Sequence, residues 1–152
     1  MKYVRLATHE DIPILLEFAS KFHRMSPYGG LSFSHERGSV FLKTVIEGSL
    51  RDFVCLVALE DSKPIGFLVG AASEPVFSGD RISTELGWWI EEESRGTRAS
   101  MLIYAAYEDW AKRVDCVAIQ GAYLPGVSTD LEKFYKKRGY HLVESSYLKR
   151  LK

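Results

Sequence analysis

Cysteine is nearly missing from this chain, which holds only Cys55 and Cys116 among its 152 residues. A disulfide-stapled secreted fold is therefore not expected. Both thiols sit in apolar, strand-like runs and read as buried and reduced. No His/Cys cluster has ligand spacing, so no metal site is expected. An excess of charge is missing too. Twenty Lys and Arg balance twenty Asp and Glu, giving a net charge of 0. Bulk charge therefore points neither to nucleic acid nor to an anionic membrane. Long apolar runs are absent, and stretches such as Phe53–Leu59 are far shorter than a bilayer-spanning segment. Residues 1–20 lack a basic start, an apolar stretch and a small-residue cleavage site, so no secretory signal is expected and the address reads as cytoplasmic. No internal repeat, linker or low-complexity tract interrupts the chain.

What is present is the composition of a globular protein, with 46% hydrophobic and 26% charged residues. The length suits a single domain spanning 1–152. Tyr3–Ala7 alternates like a short strand. Thr8 and Asp11 form a capping-box-like start to a helix that carries Ile12, Leu15, Leu16, Ala19 and Phe22 at helical spacing to about His23. Met25–Phe33, with Pro27, Gly29 and Gly30, reads as a loop. Ser34 is placed to cap a second helix with Val40, Phe41, Val45 and Ile46 inside. Asp52–Glu60 and Ile65–Ala72 read as a hairpin around Asp61–Pro64. After the loop Glu74–Asp80 comes a third strand of this group, Ile82–Ile90.

Polar residues Glu91–Arg98 lead into a helix over Thr97–Val114, whose predicted stripe includes Leu102, Ala105, Ala106 and Trp110. Cys116–Ala122 reads as a strand ended by Pro125-Gly126. Thr129–Glu132 reads as a capping box opening a helix that stops at Gly139. Tyr140–Val143 and Ser146–Leu151 are expected to form a final hairpin. The order β-α-α-β-β-β-α-β-α-β-β is that of a mixed α/β domain.

One junction carries chemistry. A strand ending at Ile90 turns into a helix beginning near Thr97. The first backbone N–H groups of a helix have no partner within it, and with the dipole they favour an anion such as a pyrophosphate. Arg95 and Arg98 flank the turn, while Gly96, Ala99 and Ser100 are small enough to let a phosphate reach the backbone. Taken alone, the same pattern also describes an ordinary connection. Glu91, Glu92 and Glu93 read as a solvated turn.

Two further segments give the junction a context. Glu85-Leu86-Gly87-Trp88-Trp89-Ile90 precedes the turn Arg95-Gly96-Thr97-Arg98-Ala99-Ser100, and Phe134-Tyr135-Lys136-Lys137-Arg138-Gly139-Tyr140 closes the last helix. Together they resemble the GNAT N-acetyltransferase family, in particular its short stand-alone bacterial and phage members. The resemblance covers nearly the whole chain by element order and is sharpest over about a third of it. Arg98 stands where that family usually has glycine. Ser100 stands where it has Gly or Ala, and Ser128 where an asparagine is often found.

The resemblance implies the GNAT acyltransferase fold, a mixed, mostly antiparallel sheet of about seven strands flanked by four helices. It implies acetyl-CoA as cofactor, with its pantetheine arm along the backbone of Trp88, Trp89 and Ile90. Its pyrophosphate would lie on Arg95, Gly96, Thr97, Arg98, Ala99, Ser100 and Met101, with Ser128 adding a hydroxyl. Glu85 is implied as general base and Tyr135 as general acid. Burial among Trp88 and Trp89 would raise the Glu85 pKa towards a useful range. The ordinary readings are an outward-facing strand carboxylate and a core aromatic.

The implied acceptor is a primary amine on a small molecule, a protein or a modified nucleotide or tRNA. The resemblance leaves room for a homodimer. A non-catalytic acyl-CoA-binding or regulatory domain is the alternative, favoured by the turn at Arg98 and Ser100. His23 and His35 sit near the expected acceptor loop, with Tyr28, Phe33 and Tyr123 as possible lining. Each of them fits surface or packing roles equally well.

Overall fold

The computed structural model describes residues 1–124 and 131–152. Asp61 and Ser62 set the centre of its sheet. Both take positive φ, 47° and 68°, the two-residue turn whose twist matches the strands it joins. It links β2 (Phe53–Glu60) to β3 (Lys63–Ser73). Val54–Leu59 and Ile65–Gly70 are buried without a break, as befits central strands covered on both faces. β1 (Lys2–Leu6) lies antiparallel to β2, and β4 (Ile82–Ile90) antiparallel to β3. The short β5 (Ala118–Gln120) runs parallel to β4, giving the order β1-β2-β3-β4-β5.

Helices cover the two faces. α1 (Ile12–Met25) and α2 (His35–Glu47) lay Leu15, Phe18, Leu42 and Val45 on Val57, Phe67, Val69 and Trp89. The expected start of α1 is present: Asp11 accepts from the Thr8 N–H at 2.7 Å. The Arg5 guanidinium, also 2.7 Å away, holds the Asp11 carboxyl below its ordinary pKa. α3 (Arg98–Arg113) lays Ile103, Tyr104, Tyr107 and Ala111 on the opposite face, where Tyr135 of α4 (Leu131–Lys137) joins the same cluster.

Several expectations are corrected. Val40 and Phe41 are exposed, and α2 faces the sheet with Leu42 and Val45. At about 100° per residue, Val40 swings to the far side of that face and Phe41 to its flank. The buried stripe of α3 is Ala99, Ile103, Tyr104, Tyr107, Trp110 and Ala111, leaving Leu102, Ala105 and Ala106 on its flanks. The sheet side of α3 carries three aromatic rings beside Ile103, and small strand residues such as Gly70 and Ala72 make room for them. A Cβ on Gly70, for example, would lie 2.6 Å from the Tyr107 ring.

Glu91 is not a solvated turn residue. Its carboxylate sits 2.6 Å from Lys21 Nζ of α1. β5 is shorter than Cys116–Ala122. The final hairpin is also absent, so the described residues hold five strands and not about seven. Leu142 and Tyr147 are 84% and 97% exposed. Alternating β-formers become strands only where an edge and a packing face receive them. Ser128, Pro125-Gly126 and the first half of the Thr129–Glu132 cap lie outside the described residues.

β4 carries the feature that builds the site. Gly70 pairs with Glu85 while Val69 pairs with Gly87, so Leu86 is an extra residue in the ladder. Such a bulge advances the alternation of faces by one. Ser83 and Glu85 face α3, and beyond Leu86 it is Trp88 and Ile90 that continue on that face. Trp89 goes to the α1–α2 side. Without the extra residue, Glu85 and Trp88 would stand on opposite faces of the sheet.

Candidate active site

β4 and β5 pair only at Ile82–Ala118, Ser83–Ile119 and Thr84–Gln120. Beyond Thr84 the two strands part, and no β5 residue pairs with the rest of β4. Tyr107 stands at the last rung, its hydroxyl 3.1 Å from Ser83 Oγ and 3.3 Å from the Gln120 carbonyl. Just past the split, Glu85 and Tyr135 fill the opening. Glu85 Oε2 accepts from the Ala122 N–H at 3.0 Å and from the Tyr135 hydroxyl at 3.1 Å. The same hydroxyl is 3.0 Å from the Ala122 carbonyl.

Glu85 is only 8% exposed. Burial pushes its pKa up to about 7, against the two donors that favour its charge. Burial also raises the Tyr135 pKa above the ordinary phenol value, and the Glu85 charge adds to this.

An aromatic cage fixes the phenol. The rings of Tyr104, Phe134 and Tyr140 lie 5.7, 5.7 and 5.3 Å from that of Tyr135. Gly121 makes room beneath it: a Cβ there would sit 2.5 Å from both the Tyr104 hydroxyl and a Tyr135 ring carbon. Phe22, Trp88, Ala122, Leu124 and Leu131 wall the small cleft in front of Glu85. The Trp88 indole N–H is buried and has no hydrogen-bond partner among the described residues.

The turn after β4 opens α3 where the sequence suggests, with Thr97 at the cap. Gly96 takes φ +68°, and no atom lies within 4 Å of the place a Cβ would occupy. Thr97 caps α3: its hydroxyl donates to the Ser94 carbonyl at 2.6 Å and accepts from the Ala99 N–H at 3.3 Å. The Arg95 side chain folds back onto the strand, with Nε on the Ile90 carbonyl at 2.8 Å and the guanidinium 4.4 Å from the Trp89 ring centre.

No family model matches the sequence, and no curated protein matches it. Solved structures do. Ribosomal-protein-alanine N-acetyltransferase from Brucella melitensis biovar Abortus 2308 superposes with TM-score 0.76 at 16% identity, covering 99% of each chain. AAC(6')-Iy, bound to the bisubstrate analogue CoA-S-monomethyl-acetylneamine, gives TM-score 0.79 at 12% identity, over 100% of this chain and 99% of that one. A GNAT family acetyltransferase from Staphylococcus aureus gives 0.68 at 20% identity, over 99% and 98%.

This chain has the GNAT acetyltransferase fold. Within the GNAT fold, the residues expected from the sequence fall into distinct groups. Glu85, Trp88 and Tyr135 come together in the cleft. The Trp89 side chain faces away, its indole N–H 3.4 Å from Glu91. Gly96 to Met101 form the turn and the first helical residues, where Arg98 is exposed, Ser100 half-buried and Met101 47% exposed.

His23 is engaged elsewhere, with Nε2 2.7 Å from the Leu31 carbonyl and its ring 5.5 Å from Phe33, which in turn meets His35 at 5.1 Å. Ala122, Gly121, Tyr104 and Tyr107 were not singled out for the site. Ala122 contributes backbone only, which no residue type announces. Gly121, directly after a strand, was the one available signal of close approach.

Proposed function

We propose that this chain is a single-domain N-acetyltransferase that moves the acetyl group of acetyl-CoA to a primary amine. The observation that carries the reading is the hydrogen-bonded pair of Glu85 and Tyr135, 3.1 Å apart in a cleft where two parallel strands separate. Two structural neighbours add weight. One is named a ribosomal-protein-alanine N-acetyltransferase, and another is bound to a CoA conjugate of an acetylated amine.

The residues present fit acetyl-CoA. The part of β4 from Trp88 to Ile90 lies past its ladder with β5 and can take an extended ligand as an added strand. The buried Trp88 N–H offers a donor still to be satisfied. Gly96 leaves open space at the N-terminus of α3, where backbone amides and the dipole favour a pyrophosphate through Met101. When bound, acetyl-CoA supplies the acetyl thioester.

Glu85 then removes a proton from the incoming ammonium. A carboxyl titrating at about 7 is matched to that task near neutrality. Phe22, Leu124 and Leu131 line the same opening and exclude water. Tyr135 holds its proton firmly until the departing sulfur needs it. Ala122 fixes both groups through its backbone.

The acceptor is an amine small enough, or on a chain extended enough, to bring its nitrogen to the cleft. Free-thiol release across a panel of amino sugars, polyamines, amino acids and N-terminal peptides tests the reading. The expected result is turnover with at least one class. Binding of acetyl-CoA with no thiol release for any amine would instead support a non-catalytic acyl-CoA-binding domain.

A further inference from the structure

We infer that Glu85 and Tyr135 are one proton-sharing unit clasped by the Ala122 peptide, in which protonation of the base releases the acid. The inference rests on the acetyl-transfer reading for its chemistry and on geometry for its mechanism. Tyr135 has one hydroxyl proton and two acceptors, Glu85 Oε2 at 3.1 Å and the Ala122 carbonyl at 3.0 Å. Ala122 also donates its N–H to the same Oε2 at 3.0 Å. Three groups thus close a ring in which the hydroxyl has a choice. An ionised Glu85 draws that proton, since a charged acceptor makes the stronger hydrogen bond. A protonated Glu85 no longer does, and the hydroxyl turns to Ala122 O or to a departing thiolate.

The charge supports this ordering. Burial and then the Glu85 charge raise the Tyr135 pKa, so the phenol gives up its proton less readily while Glu85 is ionised. Among the described residues, the other titratable groups facing the pair are Tyr104 and Tyr107 of α3 and Tyr140 beyond α4. Each has a pKa raised by burial, so all three are neutral phenols at pH 7.

The protons balance. Glu85 takes one from the ammonium and becomes neutral. The amine nitrogen bonds the acetyl carbon as the carbon–sulfur bond breaks, and Tyr135 protonates the sulfur. Glu85 passes its proton to the phenolate across their 3.1 Å contact, a downhill step from carboxylic acid to phenolate. The second nitrogen proton leaves to water. One ammonium and one thioester give one amide, one thiol and one released proton.

The test titrates the Glu85 carboxyl by carbon NMR in the ligand-free protein, with and without Tyr135→Phe. A shared unit predicts that the midpoint rises by about one pH unit when the donor is lost. It also predicts that Gly121→Ala, which displaces the phenol but keeps it, moves the midpoint in the same direction. An unmoved midpoint in Tyr135→Phe overturns the inference. The kinetic arm compares Glu85→Gln, Tyr135→Phe and the double variant. A coupled pair makes the double variant no slower than the slower single one. Losses that multiply in an enzyme that does transfer acetyl groups overturn the coupling and leave the proposed function standing. A protein that transfers no acetyl group at all removes that function without touching the titration.

Discussion

Tyr135 reaches Glu85 across 50 residues of sequence, with its hydroxyl 3.1 Å from the buried carboxylate. The bulge at Leu86 aims Glu85 into the cleft together with Trp88, and the aromatic cage of Tyr104, Phe134 and Tyr140 aims Tyr135 back at it. Most of the proposed chemistry depends on those two aims.

Activity should follow the ionisation of Glu85. As a base with a pKa of about 7, it must be deprotonated to act. With one amine, kcat/KM is expected to rise as pH increases through 7. Glu85→Gln should lose this limb and fall by roughly 10²–10⁴-fold. A pH–rate series on both proteins checks this, and an unchanged limb in the variant would remove Glu85 from the role of base.

Tyr135→Phe keeps the ring and its cage and loses only the proton. Thiol release is expected to slow by roughly 10²–10⁴-fold, while calorimetry finds the acetyl-CoA affinity little changed. A variant that loses binding and not turnover would mark Tyr135 as a wall of the cleft.

Stability should move the other way at the same position. Burial raises the Glu85 pKa from the 4.5 of an unfolded chain to about 7. The folded state then binds more protons than the unfolded one between those values. Stability from this group is full below pH 4.5 and is lost as pH rises through 7. At pH 8 the buried charge costs on the order of 3 kcal/mol. Glu85→Gln should therefore melt several degrees higher than the parent at pH 8 and close to it at pH 4.5. Equal melting temperatures at pH 8 would contradict the buried-charge assignment.

Gly66 lets β3 approach the end of β4. A Cβ there would lie 2.5 Å from the Trp89 carbonyl oxygen and the Ile90 side chain, and the backbone contact has no way to relax. Gly66→Ala is expected to destabilise the protein by about 1–3 kcal/mol in urea unfolding. It should also weaken acetyl-CoA binding, because it shifts the strand that leads into the turn.

Much of this fold was legible in the sequence. Hydrophobic period marked α1, runs of β-formers marked β2 and β3, and the turn Asp61–Pro64 marked the hairpin between those strands. Glu85, Trp88 and Tyr135 were legible through motif resemblance. Their direct contact was not, because it depends on the Leu86 bulge, a register shift that leaves no residue-type signature. Ala122 was invisible for a related reason, since only its backbone acts. The expected final hairpin does not form. Tyr140–Leu151 has strand-forming residues, but strand formation needs a receiving edge that local pattern does not report. The ion pair of Glu91 has no local signature, because its partner Lys21 lies 70 residues away.

Titration calorimetry of the purified protein with acetyl-CoA tests the central claim most directly. The account predicts saturable one-to-one binding, competed by coenzyme A and weakened when Gly96 is replaced by a β-branched residue that resists its φ of +68°. Absence of any binding heat, with no thermal stabilisation by either compound, would contradict a coenzyme A site between β4 and β5.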